Sequence, residues 1–354
     1  MAYNIDYSAL TLNPEEARSV NEEIFKEFEF SPELVNVHDI QTGVVMDTFI
    51  PILGTLGLVG KASQGGCASN DITDQIPVSQ KKWEPKLIDG RMTICRDQIP
   101  ALLKLWGLGT KAAAIWEDAT SEEITFIQTV LLDAIKKSII RHAEFGDKLA
   151  DTVTNGGNLT DGTDKTYFNV INGMWTQIFA DQAGSAVSHR YTITENGEAT
   201  KVAQLTLATD RALKVFRDLY ENIDPRAFGT DLKFQVTRSL MNNWEAFMED
   251  KSQAFETIRT EDGNSKKSYR GIPIEVRYDW DTTIATYYDQ GDTYYLPHRA
   301  ILAATSNIPI GTSDTESFSE LTSIYDQVTK KHYMDFAYRL DQKNLLEENL
   351  AVAY

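Results

Sequence analysis

The chain has 354 residues, of which 42% are hydrophobic and 24% are charged, and its formal net charge is -18. This composition predicts a globular protein with one large core or two modest ones, and it excludes a mainly disordered chain. The excess of acidic residues disfavours binding to phosphate backbones and to anionic lipid surfaces. No stretch approaches the roughly 18 consecutive apolar residues of a membrane span, so no membrane partner is expected.

The cysteines and the start of the chain indicate where the protein is made and kept. Two cysteines, Cys67 and Cys95, are too few for a disulfide framework or a four-thiolate metal site. The first residues contain neither the basic stretch nor the apolar run of a secretory signal. We therefore expect free thiols in a reducing cytoplasm.

The first predicted helix follows Asn13 and Pro14, a capping side chain and a proline in the first turn. The sequence around Ser31 and Pro32 ends it, and little nearby sequence could cover its apolar face. We expect this face to dock on a distant surface such as another subunit. The apolar residues of this face are Ala17, Val20, Ile24 and Phe28.

A long β-hairpin is predicted next. The apolar stretch from Gly43 to Val59 favours extended structure, and alternating residues around Trp83 indicate a strand. Asp89-Gly90 is a hairpin turn signal, so we assign the hairpin to residues 61–95. Because an isolated two-stranded hairpin is marginal in water, it needs a partner surface.

The clearest helix begins with a capping box at Thr120–Glu123 and keeps helical spacing to Phe145. The turn-rich stretch Thr154–Lys165 then predicts a domain boundary. Helices and strands that follow are mixed, which indicates an α+β protein. The later predictions are helices at Asp210–Tyr220 and Ser239–Asp250 and strands at Leu232–Arg238, Tyr269–Trp280, Tyr294–Asn307 and His332–Leu346.

No catalytic motif stands out. The glycine-rich stretch Gly54–Ser63 departs from a phosphate-binding loop in spacing and in its final hydroxyl, so we interpret it as a structural turn. Asp279 and Asp281 could place two carboxylates near a metal, although a solvated strand end is the simpler interpretation. His142 continues the apolar face of the long helix, which predicts a core histidine with a satisfied partner. The other histidines are scattered: His38, His189, His298 and His332.

The order of these elements resembles the capsid fold named after phage Hong Kong 97. That fold has an N-terminal arm, an extended β-hairpin loop, a long spine helix in a peripheral domain, and an axial domain. The stretches that carry the resemblance are YRGIPIEVRYDW (Tyr269–Trp280), YLPHRAILAATSN (Tyr295–Asn307) and KKHYMDFAYRLDQKNLLEENLAVAY (Lys330–Tyr354).

The resemblance implies a division of the chain into domains. The arm would be residues 1–39 and the extended loop residues 61–95. The peripheral domain would comprise 40–60, 96–168 and 308–346, with the spine helix at 121–148, and the axial domain would comprise 169–307 and 347–354.

The resemblance also implies a function. A protein of this family is a major capsid subunit of a tailed bacteriophage, forming the pentamers and hexamers of an icosahedral shell around double-stranded DNA. It would be structural rather than an enzyme, without cofactor or metal, in the virion capsid and assembled in the host bacterial cytoplasm. Its partners would be other capsid subunits and portal, scaffolding or decoration proteins, and it would enclose DNA without sequence-specific binding.

The capsid interpretation also predicts which residues form the assembly interface. The assembly interface would include the apolar face of the first helix, with Ala17, Val20, Ile24 and Phe28, and Trp83 as an anchor of the loop. Some relatives crosslink a loop lysine to a neighbour's asparagine, but Lys81 and Lys82 are ordinary enough that we do not expect a crosslink. The alternatives are an encapsulin-type protein nanocompartment, which shares the fold, and a metal-dependent enzyme using Asp279 and Asp281.

Overall fold

The described part of the computed structural model excludes the first residues and several internal segments. The predicted first helix, with Ala17, Val20, Ile24 and Phe28, lies outside it, as do the glycine-rich stretch and Cys67. The structure describes residues 36–44, 46–53, 78–95, 134–150, 157–184, 189–251, 257–259, 265–313, 322–326, 328–329 and 331–354.

The first sheet has five strands and is organised around the long strand β13. One side of β13 pairs along most of its length with β4, and the other side pairs with β11 and β12; β1 extends the sheet by pairing in parallel with β11. The strands are β1 (Ile40–Gln41), β4 (Lys86–Cys95), β11 (Ile310–Thr312), β12 (Thr322–Asp326) and β13 (Lys331–Gln342).

A separate antiparallel pair is formed by β2 (Thr48–Leu53) and β3 (Val78–Trp83). The hairpin therefore pairs these two strands, and the predicted turn at Asp89–Gly90 is wrong. Both residues lie within β4, opposite Ala337 and Phe336 of β13. A Cβ at Gly90 would lie 2.7 Å from Cε1 of the Phe336 ring, so the glycine makes room for a cross-strand aromatic rather than for a turn.

The second sheet has seven strands in the order β5-β14-β10-β6-β9-β8-β7. Strand β10 pairs antiparallel with both of its neighbours, β14 and β6, while β6 and the next strand, β9, are parallel. The strands are β5 (His189–Tyr191), β6 (Leu232–Val236), β7 (Thr257–Arg259), β8 (Ser265–Tyr269), β9 (Ile272–Val276), β10 (Ala300–Ala304) and β14 (Leu350–Ala353).

Helices cover both faces of the second sheet, which is why all five residues of β10 are buried. Ala300, Leu302 and Ala304 belong to one apolar core, and Ile301 and Ala303 belong to the other. The first core also takes residues of α4 (Arg211–Asn222) and α5 (Arg238–Asp250), and the second takes residues of α2 (Met174–Gly184) and α6 (Tyr278–Tyr287). A short helix, α3 (Lys201–Leu205), precedes α4.

The α+β class is confirmed, and so are several individual elements. Residues 134–145 form a helix, α1, which is the described part of the predicted long helix. Helices α4 and α5 and strands β6, β10 and β13 lie within a few residues of their predicted bounds or inside them. The domain bounds remain predictions, and no helix in the described ranges is both long and apolar enough to cross a membrane.

The predicted strand Tyr269–Trp280 is wrong as a single element. Arg270 and Gly271 both have positive φ, 50° and 81°, and make the tight turn between β8 and β9. Strand β9 ends at Val276, and α6 begins at Tyr278. Its first turn carries Asp279 and Asp281, where carboxylates are favoured by the positive end of the helix dipole.

Candidate functional site

A buried ionic cluster forms where α1, α6 and the second sheet meet. Its centre is Glu144, at the end of α1, which is 0% exposed. The same helix buries Ile135, Ile139 and Ala143, so its apolar face carries this carboxylate into the interior. Burying a charged carboxylate is costly unless cations and hydrogen-bond donors surround it.

Three side chains supply those donors. Arg277, which follows β9 and is 5% exposed, donates from Nη2 to Glu144 Oε1. Trp280 donates its indole Nε1–H to Glu144 Oε2 at 2.7 Å, and His38 Nε2 lies 3.1 Å from Oε1. Both oxygens of the Glu144 carboxylate thereby have hydrogen-bond partners.

Arg277 also binds two further groups, so that the cluster extends to the sheet and to α6. Its Nη1 donates to Gln235 Oε1 on β6 at 2.9 Å, and its Nε donates to Asp279 Oδ1 at 3.0 Å. His38 Nδ1 lies 2.8 Å from the Ile308 carbonyl. Both ring nitrogens of His38 thus lie within hydrogen-bond distance of oxygen atoms. We call Glu144, Arg277, His38, Gln235, Asp279 and Trp280 the junction cluster.

The pKa values of the two carboxyl groups in the cluster are shifted in opposite directions. Burial raises the pKa of Glu144, but the charge of Arg277 and the hydrogen bond from His38 outweigh burial and hold the pKa below its usual range. For Asp279, burial and the nearby Glu144 charge outweigh Arg277 and raise the pKa to about 6. The cluster therefore has one carboxylate that stays charged and one that gains a proton in mildly acidic solution.

The segment 36–41 connects the junction cluster to both sheets. Lys233 Nζ donates to the Asn36 carbonyl at 2.9 Å, and Gln235 Nε2 donates to the Val37 carbonyl at 3.3 Å. The Asp39 amide donates to the Thr305 carbonyl at 3.2 Å. At the next residue, Ile40, the chain enters β1 of the first sheet. The cluster therefore fixes the crossing between the two sheets.

The structure does not bring Asp279 and Asp281 together as a metal site. Asp279 pairs with Arg277, whereas Asp281 Oδ2 accepts the backbone N–H of Arg238 at 2.8 Å, at the start of α5. Burial raises the pKa of Asp281 to about 6. Among the described residues no group of three or more histidine, cysteine or acidic side chains is placed to hold a metal ion. The two carboxylates join helices rather than converge on one point.

The histidines have structural positions. His142 is 2% exposed, as predicted for the core, but its Nδ1 has no hydrogen-bond partner among the described residues, and burial lowers its pKa to about 4. His298 is buried between Ser239 Oγ at 2.6 Å and the Gln204 carbonyl at 2.7 Å. His189 is exposed at the start of β5. The burial of His142 and His298 indicates that both side chains belong to the interior of the fold.

Trp83 packs within its own chain. It is 3% exposed, and a Cβ at Gly311 would lie 2.9 Å from its Cζ3. The ring thus holds the end of β3 against β11, and its expected contact with a neighbouring subunit stays a prediction. Lys81 Nζ donates to the Asn344 carbonyl at 2.5 Å, and Lys82 pairs with Asp47 at 2.7 Å. Both lysines therefore have partners within the chain.

Sequence reasoning missed the junction cluster. Glu144 and Arg277 are 133 residues apart, so no local motif joins them. One signal was available, because Glu144 follows the apolar residues of a strongly periodic helix near its end. A carboxylate at such a position predicts a buried cation from elsewhere, although it does not identify which one.

Comparisons with known proteins find similarity at the level of fold. No family model matches the chain, and no curated protein matches it. One similar structure is the satellite phage P4 procapsid, which includes the size determination (Sid) protein. A chain of this procapsid aligns with a TM-score of 0.54 and 10% identity, and the alignment covers 94% of this chain and 97% of that chain. A chain of the cyanophage A-1(L) capsid asymmetric unit aligns with a TM-score of 0.53 and 13% identity, covering 92% and 91%.

A compartment protein also aligns, less closely. A chain of the holo-SrpI encapsulin complex from Synechococcus elongatus PCC 7942 has a TM-score of 0.48 and 8% identity, covering 90% of this chain and 85% of that chain. This likeness is too weak to favour a compartment over a virus shell. The alignments with the phage P4 procapsid chain and the cyanophage capsid chain have TM-scores above 0.5, and each covers nearly the whole of both aligned chains. The chain has the phage capsid-protein fold that its sequence resembles.

Proposed function

We propose that this chain is the major capsid subunit of a tailed bacteriophage and that it assembles into the pentamers and hexamers of an icosahedral shell around double-stranded DNA. The observation that carries the proposal is the fold match over 94% of this chain and 97% of a phage procapsid chain. In that shell, the β2–β3 hairpin would be the extended loop and α1 the spine helix. The first sheet would belong to the peripheral domain and the second sheet to the axial domain.

The hairpin supports an assembly role because part of its apolar surface is uncovered. Phe49 on β2 is 61% exposed, and Met46, which precedes β2, is 68% exposed. A two-stranded hairpin buries too little to be stable alone. Trp83 and Lys81 hold one end of it on the subunit, and a neighbouring subunit would cover the rest.

The charge of the chain supports a particular relation to the genome. A net charge of -18 opposes direct binding to phosphate backbones. The DNA would therefore be confined by the closed shell rather than bound by sequence. The same charge makes subunits repel one another, so assembly requires extensive apolar or interwoven contact and enough salt to screen the repulsion.

The partners and location follow the proposal. The subunit would be made in the host bacterial cytoplasm and end in the virion capsid, with a portal and scaffolding or decoration proteins as further partners. An encapsulin-type nanocompartment is the second candidate, because such compartments share the capsid fold. The contents of the shell distinguish the two, because a compartment would enclose protein cargo.

Negative-stain electron microscopy tests the proposal. The protein would be expressed alone and together with its neighbouring genes, and the purified material imaged and assayed for nuclease-protected DNA. Closed polyhedral particles or five-fold and six-fold rings are expected, with DNA inside the particles made from the full gene set. Particles filled with protein would favour the compartment, and a persistent monomer in both preparations would contradict a shell.

A further inference from the structure

Glu144 and Asp279 of the junction cluster share one donor nitrogen. Arg277 donates from Nη2 to Glu144 Oε1 and also, at 2.5 Å, to Asp279 Oδ2. Two carboxylates bound to the same nitrogen lie close together, and like charges at short range in the interior repel strongly. The Glu144 side chain is 0% exposed and that of Asp279 is 25% exposed. Asp279 can therefore exchange a proton with solvent, whereas Glu144 has no direct access to water.

Two carboxylates of the cluster depend on one guanidinium. The guanidinium of Arg277 faces the carboxylate of Asp279 and the carboxylate of Glu144. His38 is the other titratable group of the cluster, and its Nε2 lies 3.1 Å from Glu144 Oε1. A proton on Asp279 leaves one carboxylate for the single guanidinium and removes the repulsion between the two acids. The remaining side chains of the cluster are uncharged: Gln235 of β6 and Trp280 of α6.

Segment 36–41 covers this part of the cluster. His38 is 1% exposed, and its ring nitrogens lie within hydrogen-bond distance of Glu144 and of a backbone carbonyl. Gln235 accepts from Arg277 Nη1 and donates to a carbonyl of the segment, so the segment also contacts the side of the cluster that holds the guanidinium. Displacing the segment would admit water to Glu144 and Arg277, and water would weaken the repulsion between the two carboxylates.

We infer that the junction cluster is a proton-operated latch: a proton on Asp279 fastens segment 36–41 to the second sheet, and loss of that proton loosens it. The physical reason is linkage, because acid favours whichever state binds the proton more tightly. Burial and the nearby charge of Glu144 raise the pKa of Asp279 from 3.8 to about 6 while the segment is bound. The latch is therefore closed below pH 3.8 and loosens as pH rises through about 6. It belongs to the single subunit and does not rest on the proposed function.

Hydrogen exchange on the unassembled subunit tests the latch. Exchange of the backbone amides that hold the segment reports how often it opens locally. After correction for the intrinsic effect of pH on exchange, we expect their protection to fall about tenfold or more between pH 4.5 and 7, because each unit of pKa difference between the two states changes the equilibrium tenfold. The reporters are the amides of Asp39, Val44 and Ile310, which bond to the carbonyls of Thr305, Thr312 and Asp39.

Two asparagine variants in the first turn of α6 supply the comparison. Asp279→Asn keeps a hydrogen-bond acceptor beside Arg277 but cannot ionise, so the protection of the reporter amides should stay high from pH 4.5 to 7. Asp281→Asn is the matched control, because Asp281 accepts the Arg238 backbone N–H instead of a donor from Arg277. In this control the segment should keep the pH dependence of the wild type.

Three results would overturn the inference. They are wild-type protection that does not change with pH, an Asp279→Asn protein whose protection still falls, and an Asp281→Asn protein that loses the pH dependence as fully as Asp279→Asn. If Asp279→Asn does not fold, the carboxyl carbon resonance of Asp279 in the wild type gives the answer. A titration midpoint equal to that of the exchange supports the latch, and a different midpoint contradicts it.

Discussion

The second sheet and the β2–β3 hairpin obtain their stability in different ways. The second sheet buries both faces under helices of its own chain, and every residue of β10 is covered. The described strands of the hairpin form no core of their own and are fixed at one end, where Trp83 packs on Gly311. The second sheet is thus buried by its own chain, whereas the proposed function has another subunit cover the exposed part of the hairpin. Variants in the two regions should differ in whether they affect folding or association.

The largest expected effect is at the junction cluster, which joins the second sheet to α1 and segment 36–41. Arg277→Met leaves Glu144 buried, 0% exposed, without its cation. Removing one partner of a buried ion pair costs about 3–5 kcal/mol. Urea unfolding of the unassembled subunit measures this loss.

A double variant provides the control for Arg277→Met. Adding Glu144→Leu removes the stranded carboxylate, so the double variant should be more stable than the sum of the two single changes predicts. Strict additivity would show that Glu144 and Arg277 do not stabilise each other. It would also contradict the conclusion that the junction cluster links the two sheets.

Trp83→Ala should release the hairpin from the subunit. Loss of a buried tryptophan ring costs about 3 kcal/mol or more, and the cost should be local. Hydrogen exchange is the measurement: amides of β2 and β3 should exchange faster, while those of β6 and β10 keep their protection. Phe49→Ala, at a side chain that is 61% exposed, is the matched aromatic control and should leave exchange unchanged. Faster exchange throughout the second sheet would contradict the separation of the two regions.

The first turn of α6 should make stability depend on pH. The pKa values of Asp279 and Asp281 are raised from 3.8 to about 6, mainly by burial. The folded state therefore holds these protons more tightly than the unfolded chain, and this contribution, present below pH 3.8, is lost as pH rises through about 6. We expect a loss of about 2 kcal/mol for Asp279 over this window.

Asparagine variants isolate that contribution from the other carboxyl groups. Asp279→Asn and Asp281→Asn should each flatten part of the change in unfolding free energy between pH 4 and 6, and the double variant should flatten more. Asp224, whose pKa is lowered to about 2 by Arg226, acts with the opposite sign at lower pH. A double variant with the wild-type slope would show that the two aspartates do not titrate in this window.

The sequence predicts elements whose stability is local and misses those that depend on distant partners. Helices α4 and α5 follow clear apolar periodicity and lie near their expected bounds. Asp89-Gly90 has the composition of a turn, yet pairing with β13, more than 240 residues later, keeps both residues in a strand. Helix α6 looks β-prone in sequence, but burial of Trp280 and its bond to Glu144 favour the helix.

The same distinction explains what could be foreseen of the candidate site. The aromatic character of Trp83 predicts an interface anchor, and that contact stays a prediction; its partner within the chain, Gly311, has no side chain to signal a contact. His142 was placed in the core because helical spacing reports burial, whereas hydrogen bonds to its ring depend on neighbours from other segments. Pairs such as Glu144 and Arg277 are determined by tertiary structure, so they can be identified only once the fold is known.

The smallest expected effect on the isolated subunit is at the exposed face of the hairpin, where the proposed function predicts a large effect on assembly. Phe49→Ser changes a side chain that is 61% exposed, so the free energy of unfolding should stay within about 0.5 kcal/mol of the wild type. Val328→Ser is the matched control, because Val328 is 90% exposed at the turn between β12 and β13. Shell yield, measured by sedimentation and electron microscopy, should fall for Phe49→Ser and remain unchanged for Val328→Ser. Equal yields from both variants would mean that the exposed face of β2 is not what a neighbouring subunit covers.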